Sequence, residues 1–187
     1  MIIEEPSSLE VFITVTAGNL FGGFWKEYVD RMDLKGNERV LELGPSAGNN
    51  SRHLARRLVK GGGCLTAVDI SAVWVEVARK RLRKFPNVEL KIGDISQLDI
   101  PDRSQDAVLL SFVIHDIPRA ERQGIVNATL AKLAPGGKLF VREPLRNITP
   151  QEIRHMLQMN GLIEASSSVA EIKTQGQVFE GVYLKPT

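Results

Sequence analysis

Short apolar runs alternate with stretches of helical periodicity along most of the chain, and this alternation predicts the fold. Apolar residues recur at spacings of three and four over residues 19–33, which predicts an amphipathic helix, whereas residues 1–18 do not distinguish helix from strand. Short apolar runs that predict strands then occur at residues 40–43, 65–69, 88–92, 107–110 and 138–141. Helical periodicity between these strands covers residues 51–60, 71–84 and 119–133.

This pattern predicts an α/β protein with a doubly wound sheet of five parallel strands and helices on both faces. The chain ends differently, with a predicted helix over residues 150–160 and two extended runs at residues 163–172 and 178–184. These two runs predict a C-terminal antiparallel hairpin. Because no linker or repeat interrupts the pattern, we expect one domain over residues 1–187, with a short N-terminal helical segment over about residues 1–37.

The composition is that of a globular domain, with 43% hydrophobic and 25% charged residues among 187. A net charge of +2 is too small to indicate nucleic-acid binding, and the basic run at residues 79–84 is interpreted as a solvated helix face, with a patch for an acidic partner as the alternative. Cys64 is the only cysteine, which excludes an intrachain disulfide and a metal site built on several thiolates, and we assign no metal-binding residues. The sequence lacks signal-peptide features and any apolar run of the ~20 residues that a membrane span needs, so we expect a cytoplasmic protein without membrane contact.

Glycine and polar residues follow the carboxyl ends of four predicted strands, where open α/β sheets bind their ligands. Glycines in the first of these loops let the backbone approach a ligand closely, although a purely structural turn is the alternative. Asp69 lies about 25 residues after Gly44, a spacing at which a carboxylate can accept hydrogen bonds from both ribose hydroxyls of a nucleoside. Asp94 is placed to accept a hydrogen bond from the exocyclic amine of adenine, beside an apolar wall formed by Ile95. The candidate cofactor-binding residues are Glu42, Gly44, Pro45, Ser46, Gly48, Asn49, Asp69, Ile70, Asp94, Ile95 and Ser111.

Together these residues resemble the class I S-adenosylmethionine-dependent methyltransferases. The first motif of that family is an acidic residue followed by three alternating glycines, and residues 42–48 (Glu-Leu-Gly-Pro-Ser-Ala-Gly) keep the acid and the outer two glycines. Asp69 matches the family's ribose-binding acid, Asp94 its adenine-side acid, and residues 133–139 its run into the fifth strand. The resemblance covers nearly the whole chain and implies a Rossmann-like fold, S-adenosylmethionine as cofactor, and methyl transfer as the activity. Ser46 departs from the family's middle glycine, and its side chain is expected to crowd or reshape the loop.

Two other functions stay open. A dinucleotide-dependent oxidoreductase uses a similar loop, but Ser46 occupies the second glycine of its Gly-x-Gly-x-x-Gly motif, so a phosphate would be held less well. S-adenosylmethionine has no phosphate and carries an amino-acid head, so Glu42 is expected near its ammonium group. A non-catalytic cofactor-binding scaffold is the other alternative, because Ser46 departs from the motif and no acceptor motif is evident.

The candidate acceptor contacts are Trp25, Tyr28 and His115. Methyl transfer is an in-line displacement that demands positioning rather than an obligatory catalytic residue. Where the acceptor must lose a proton, His115 is the candidate base because its ordinary pKa is near neutrality, and a structural histidine is the alternative. An aromatic helix stripe such as Trp25 and Tyr28 also fits a plain core. His53 and His155 fall on predicted helix surfaces and are assigned no role.

The expected acceptor is a small molecule of unidentified structure. A nucleic-acid acceptor is disfavoured because no Asn/Asp-Pro-Pro-aromatic run follows the fourth predicted strand, and because Cys64 begins the second strand, where it cannot attack a base. The sequence leaves open a homodimer, in which a partner chain completes the acceptor pocket.

Overall fold

The computed structural model describes residues 5–172 and 175–187, and the chain forms two compact units, Met1–Leu98 and Asp99–Thr187. The first unit contains α1 (Ser8–Leu20), α2 (Gly22–Asp30), β1 (Arg39–Leu43), α3 (Ser51–Leu58), β2 (Cys64–Asp69), α4 (Ala72–Leu82) and β3 (Val88–Ile92). Both β1 and β3 pair with β2 in parallel, with Val40 and Val88 opposite Leu65. Helices α3 and α4 pack on β2, so this unit repeats the strand and helix alternation that the sequence predicts.

The second unit contains β4 (Gln105–Ser111), a 3₁₀ turn (Ile114–Asp116), α5 (Arg119–Ala131), β5 (Leu133–Pro144), α6 (Pro150–Gln158), β6 (Ile163–Ile172) and β7 (Gly176–Leu184). Strand β4 pairs with β5 in parallel, and β7 lies between β5 and β6, antiparallel to both. The predicted fold class is therefore confirmed: the seven strands form a mixed, mostly parallel, Rossmann-like sheet that ends in an antiparallel hairpin. That residues 1–187 act as a single domain stays a prediction.

The N-terminal helices differ from the sequence prediction, because residues 19–33 do not form one helix. Phe21 leaves the helical region, with φ at −105° and ψ at 29°, and separates α1 from α2. Helix α1 begins at a capping box, in which the Ser7 hydroxyl accepts a hydrogen bond from the Glu10 amide and the Glu10 carboxylate accepts one from the Ser7 amide. The Ser-x-x-Glu signal of this box lies in the stretch where periodicity alone did not distinguish helix from strand.

The strands that carry the site are buried, which explains their apolar sequences. Residues 40–43 of β1 and 107–111 of β4 are all buried, whereas β3 is partly exposed along its length. Strand β5 begins at Leu133 rather than at residue 138, and its pairing with β4 shifts register between Gln105 and Ala107. Within the described ranges, no helix is long and apolar enough to span a membrane.

Candidate active site

The loop after β1 is a tight turn whose backbone suits glycine at three alternating positions. Gly44, Ser46 and Gly48 all have positive φ angles, of 68°, 49° and 72°. The Gly48 amide donates to the Pro45 carbonyl at 2.8 Å, and Pro45 itself is buried. A Cβ at Gly48 would lie 3.3 Å from the Leu82 side chain of α4, so this glycine also permits close helix packing.

Ser46 is the one residue of the three that pays a conformational penalty. L-residues in the left-handed region carry a cost of roughly 1–2 kcal/mol that glycine does not carry. The Ser46 amide donates to Oδ2 of Asp69 at 3.1 Å, and this bond helps to hold the left-handed conformation. Ser46 therefore adopts the conformation that the family's glycine would adopt without strain.

Replacing Ser46 with glycine is expected to raise the free energy of unfolding by up to about 1 kcal/mol, because the relief of left-handed strain exceeds the added chain entropy. Urea unfolding of Ser46→Gly beside the native chain measures the difference. Ser168→Gly is the matched control, because Ser168 is exposed in the extended strand β6, where glycine only weakens the strand. Equal losses of stability in both variants would contradict the assignment of strain to Ser46.

Glu42 lies in β1, two residues before Gly44, and is only 2% exposed. Its Oε2 accepts a hydrogen bond from the Ser51 hydroxyl, at the start of α3, at 2.6 Å. Burial raises the pKa of Glu42 to about 7, although the hydrogen bonds from Ser51 and Asn50 oppose this shift. The Oδ1 atom of Asn50 is buried and has no hydrogen-bond partner within the described part of the chain. An unpaired amide oxygen beside a buried carboxyl fits an ammonium group, which is a hydrogen-bond donor and a cation.

Asp69 ends β2 and joins the loop to the start of α4. It is 8% exposed, and its two oxygens accept hydrogen bonds from the Ser46 amide at 3.1 Å and from the Ser71 amide at 3.0 Å. Burial raises the pKa of Asp69, while these backbone bonds act in the opposite direction. Each carboxylate oxygen can accept more than one hydrogen bond, so this fixed carboxylate fits the two hydroxyls of a ribose.

The other candidate residues of the first unit show fewer features of a ligand-binding site. Oδ1 of Asp94 accepts two hydrogen bonds from Ser96, from its amide and its hydroxyl, both at 2.8 Å. Ile95 is 1% exposed and offers little accessible surface for an apolar wall, whereas Ile70 is half-buried. Tyr28 is 5% exposed, which agrees with a core position, the alternative interpretation of the aromatic stripe, and its acceptor role stays a prediction. The adenine roles of Asp94 and Ile95 stay predictions.

Trp25 is half-buried on α2 and packs edge-on against Phe24, with ring centroids 4.9 Å apart. This arrangement leaves part of the indole accessible, so the acceptor role of Trp25 stays a prediction.

In the second unit, the chain after β4 carries Ser111 and His115. Ser111 is 5% exposed, and its hydroxyl oxygen has no hydrogen-bond partner among the described residues. The next residue, Phe112, has a φ of 55°, and its amide donates to the Arg142 carbonyl at 2.7 Å. A positive φ at an aromatic residue is strained, and such strain is found preferentially at functional sites.

Glu143 of β5 organises the turn that bears His115. Its carboxylate is fully buried, and Oε1 accepts hydrogen bonds from the amides of Val113 and Ile114, both at 2.9 Å. Oε2 lies 2.8 Å from Nδ1 of His115. The buried Arg122 completes this arrangement by donating to the His115 carbonyl at 3.0 Å. The imidazole is therefore held by charged groups that are themselves fixed in the core.

The electrostatic surroundings of His115 favour its protonated form. Burial alone would lower the pKa of His115, but the hydrogen bond and negative charge of Glu143, aided by Asp116, raise it above its ordinary value. The second ring nitrogen, Nε2, lies 3.2 Å from Oδ1 of Asp116, whose side chain is exposed. With Nδ1 directed at Glu143, Nε2 is the nitrogen available for proton exchange.

Comparison with known proteins decides which family these features represent. The family model described as a methyltransferase domain matches residues 40–137, which include the glycine loop, Asp69 and His115. The chain belongs to this family. It is thus a member of the class I S-adenosylmethionine-dependent methyltransferases, a family whose cofactor is S-adenosylmethionine. The unpaired Asn50 oxygen and the fixed Asp69 carboxylate agree with this cofactor.

The chain also resembles individual proteins. It is 31% identical over 130 residues to a demethylmenaquinone methyltransferase of Tropheryma whipplei (strain Twist), an alignment that covers 67% of this chain and 52% of that protein. The chain therefore spans about half the length of that relative. The solved structure of the N-methyltransferase NodS from Bradyrhizobium japonicum WM9 has a TM-score of 0.76 at 18% identity, covering 91% of this chain and 99% of NodS. The [4+2]-cyclase SpnF has the same TM-score of 0.76 at 17% identity, covering 89% of this chain and 81% of SpnF.

Several residues of the site were missed by sequence reasoning. Arg81 donates from Nη1 to the Ala47 carbonyl and to Oδ1 of Asn49, the latter at 2.9 Å. Arg81 is half-buried, so the interpretation of residues 79–84 as a solvated face was wrong at this position. The available signal was its spacing, since Arg81 follows the buried Ala78 by one helical turn. Asn49 is accordingly engaged in holding the loop, through bonds to Arg81 and to α1.

Glu5 is a second residue that the sequence did not reveal. Its Oε1 accepts a hydrogen bond from the Ala72 amide at 3.0 Å, and its Oε2 accepts one from the Ser71 hydroxyl. Glu5 thus places a carboxylate at the N-terminus of α4, where the helix dipole favours negative charge. In the part of the chain that the structure describes, no group of three or more histidine, cysteine or acidic side chains could hold a metal ion.

Proposed function

We propose that this protein transfers the methyl group of S-adenosylmethionine to a small-molecule acceptor. The observation that carries the proposal is the pair of hydrogen bonds at Asp69. The backbone amides of Ser46 and Ser71 donate to its two carboxylate oxygens and orient this buried side chain beside the glycine loop. A demethylmenaquinone methyltransferase among the relatives supports an organic small molecule as the class of acceptor. When bound, the cofactor supplies an electrophilic methyl group on a cationic sulfur, and the demethylated cofactor is the neutral thioether that leaves.

The residues of the first unit bind the two ends of the cofactor. Asp69 accepts hydrogen bonds from the ribose hydroxyls, while Glu42 and Oδ1 of Asn50 hold the ammonium group. Asp94 is the candidate partner of the adenine amine. Because the transition state needs alignment more than acid or base chemistry, fixed contacts at both ends provide much of the expected acceleration.

His115 is the proposed base for an acceptor that must lose a proton. Its Nδ1 hydrogen bonds to Glu143 at 2.8 Å, so Nε2 takes the acceptor's proton and the resulting imidazolium is stabilised by the buried carboxylate. Glu143 is a positioning residue in this proposal. General-base catalysis of this kind contributes about 10²–10⁴-fold to a rate.

Incubation with methyl-labelled S-adenosylmethionine and a deproteinised metabolite extract tests the proposed transfer. We expect labelled small molecules to form in proportion to enzyme, and far fewer in a matched incubation with Asp69→Ala at subsaturating cofactor. Label in added protein or nucleic acid, with none in the small-molecule fraction, would contradict the proposed acceptor class. Tight cofactor binding without any transfer would favour a non-catalytic scaffold.

The raised pKa of Glu42 gives the cofactor site a specific pH dependence. With a pKa of about 7, Glu42 is mostly protonated at pH 6 and mostly ionised at pH 8, and only the ionised form attracts the ammonium group. The affinity for S-adenosylhomocysteine is therefore expected to increase about ten-fold between pH 6 and pH 8. Glu42→Gln should flatten this profile, because the amide does not titrate. Calorimetric titration at several pH values measures both profiles, and a slope that persists in Glu42→Gln would assign the dependence to another group.

One structural neighbour suggests a second candidate function besides methyl transfer. SpnF shares this fold with a TM-score of 0.76 and is named a [4+2]-cyclase. Turnover of a small molecule without consumption of S-adenosylmethionine would favour a reaction of that other kind over methyl transfer.

A further inference from the structure

A cavity of about 370 Å³ lies on the first unit and is lined by side chains of α2, α3 and their flanking residues. Its cationic lining residues are Lys26, Lys35, Arg56, Arg57 and Lys60. One carboxylate, Asp30, and one imidazole, His53, complete the described lining. The volume falls within the range of roughly 300–1,000 Å³ that is usual for small-molecule sites.

The positive charge of this cavity is largely uncompensated. Oδ2 of Asp30 is 2.5 Å from Nζ of Lys26, so the single carboxylate is already engaged by one of the cations. Arg57 donates from Nε to the Leu34 carbonyl at 2.7 Å, a bond that fixes the guanidinium without neutralising it. Lys35, Arg56 and Lys60 have no ion-pair partner among residues 5–172 and 175–187. Like charges that converge in a concave site repel one another, and they concentrate anions from solution.

Helix stability explains only part of this arrangement. Arg56 and Arg57 lie in the last turn of α3, where cations interact favourably with the helix dipole. That reason does not apply to Lys26 on α2 or to Lys35, which precedes β1. None of the residues that line the cavity is among the candidate cofactor-binding residues.

We propose that this cavity binds a small phosphate-bearing anion, such as inorganic pyrophosphate or the phosphate group of a metabolite. Several cationic side chains that converge from different parts of the chain match an anion with more than one negative charge. A planar guanidinium group can also donate two parallel hydrogen bonds to two oxygens of one phosphate. The concave shape and limited volume favour a compact ligand over an extended polyanion. This site is independent of the proposed methyl transfer.

His53 provides a reporter inside the cavity. Burial lowers the pKa of His53 to about 4, with Arg52, Arg56 and Lys26 acting in the same direction and Asp30 against them. Nε of Arg52 donates to Nε2 of His53 at 3.1 Å, which further favours the neutral ring. A bound anion within about 4–6 Å would reverse part of this effect and raise the pKa by about one unit or more.

The test combines calorimetry and NMR with pyrophosphate as the probe, at low ionic strength. We expect saturable binding to one site and a rise in the pKa of His53. Arg56→Glu should weaken binding about ten-fold or more, because it reverses a charge at close range. Arg56→Gln is the variant for use if Arg56→Glu unfolds, with a smaller loss in the same direction. Lys80→Glu is the matched control, because Lys80 is exposed on α4, outside the cavity.

The outcomes separate the proposal from its rivals. Weakened pyrophosphate binding in Arg56→Glu with unchanged binding in Lys80→Glu supports the site. Equal weakening in both variants would overturn it in favour of a general charge effect. An unmoved His53 pKa, or binding of oligonucleotides but not of pyrophosphate, would also overturn it. S-adenosylhomocysteine titrates the other site and should bind all these variants equally, so failure here leaves the proposed methyl transfer untouched.

Discussion

Glu143→Gln is expected to lower the rate of methyl transfer about 10- to 100-fold for an acceptor that must lose a proton, because the loss of charge weakens His115 as a base. The carboxylate of Glu143 accepts hydrogen bonds from three backbone amides as well as from Nδ1 of His115. An amide side chain has one acceptor oxygen and leaves some of these buried donors unsatisfied, at about 1–3 kcal/mol for each. The variant should therefore also be less stable, which urea unfolding measures.

A pH profile distinguishes positioning from a merely structural role. Glu143 raises the pKa of His115, and the base must be neutral to accept a proton, so the acidic limb of the rate profile should move to lower pH in Glu143→Gln. Glu180→Gln is the control, because Glu180 pairs with the buried Arg142 at 2.8 Å on the neighbouring strand. It should reduce stability without moving the limb. An unmoved limb in Glu143→Gln would reduce Glu143 to a structural residue.

Asp69→Ala is expected to weaken the binding of S-adenosylhomocysteine about a hundred-fold or more, because each hydrogen bond to a charged group contributes about 1.5–3 kcal/mol and the ribose offers two hydroxyls. The carboxylate also fixes the loop through the Ser46 amide, so the alanine variant loses both a ligand contact and loop order. Thermal shift and calorimetry measure the loss.

Two control variants test whether the loss of binding is specific to the Asp69 carboxylate. Asp99→Ala removes an exposed carboxylate and should bind S-adenosylhomocysteine as the native chain does. Asp69→Asn retains one acceptor oxygen and should lie between the native chain and Asp69→Ala. Native affinity in Asp69→Ala, with the variant folded by circular dichroism, would refute the ribose assignment.

Local patterns were sufficient to predict the sheet and the position of the glycine-bearing turn after β1, whereas the cofactor contacts of that turn stay a prediction. Apolar runs bounded by turns located the buried strands, and the spacing from Gly44 to Asp69 located two elements that the structure joins through the Ser46 amide. The structure departs from the sequence prediction where tertiary contacts override the local helical preference. Phe21 interrupts a helical pattern, with φ at −105° and ψ at 29°, and the guanidinium of Arg52 donates a hydrogen bond to the Gly18 carbonyl in the last turn of α1.

The residues that sequence reasoning missed act over long separations. Glu143 holds a turn about thirty residues earlier in the chain, and Glu5 reaches an amide 67 residues later. A carboxylate at a strand end or in a weakly patterned terminus has no periodic signature that reveals such a partner. His53 was assigned no role because its surroundings depend on Lys26 and Asp30 of α2, which helical periodicity does not place beside it.

Calorimetric titration of the native chain with S-adenosylhomocysteine, beside an identical titration with NAD, tests the central claim most directly. The loop bound to Asp69, the buried Glu42 and the unpaired Asn50 oxygen together fit an adenosyl ligand with an amino-acid head. We expect saturable one-site binding of S-adenosylhomocysteine and none of NAD. Absence of heat and of thermal shift at millimolar S-adenosylhomocysteine, or a response to NAD alone, would contradict the account.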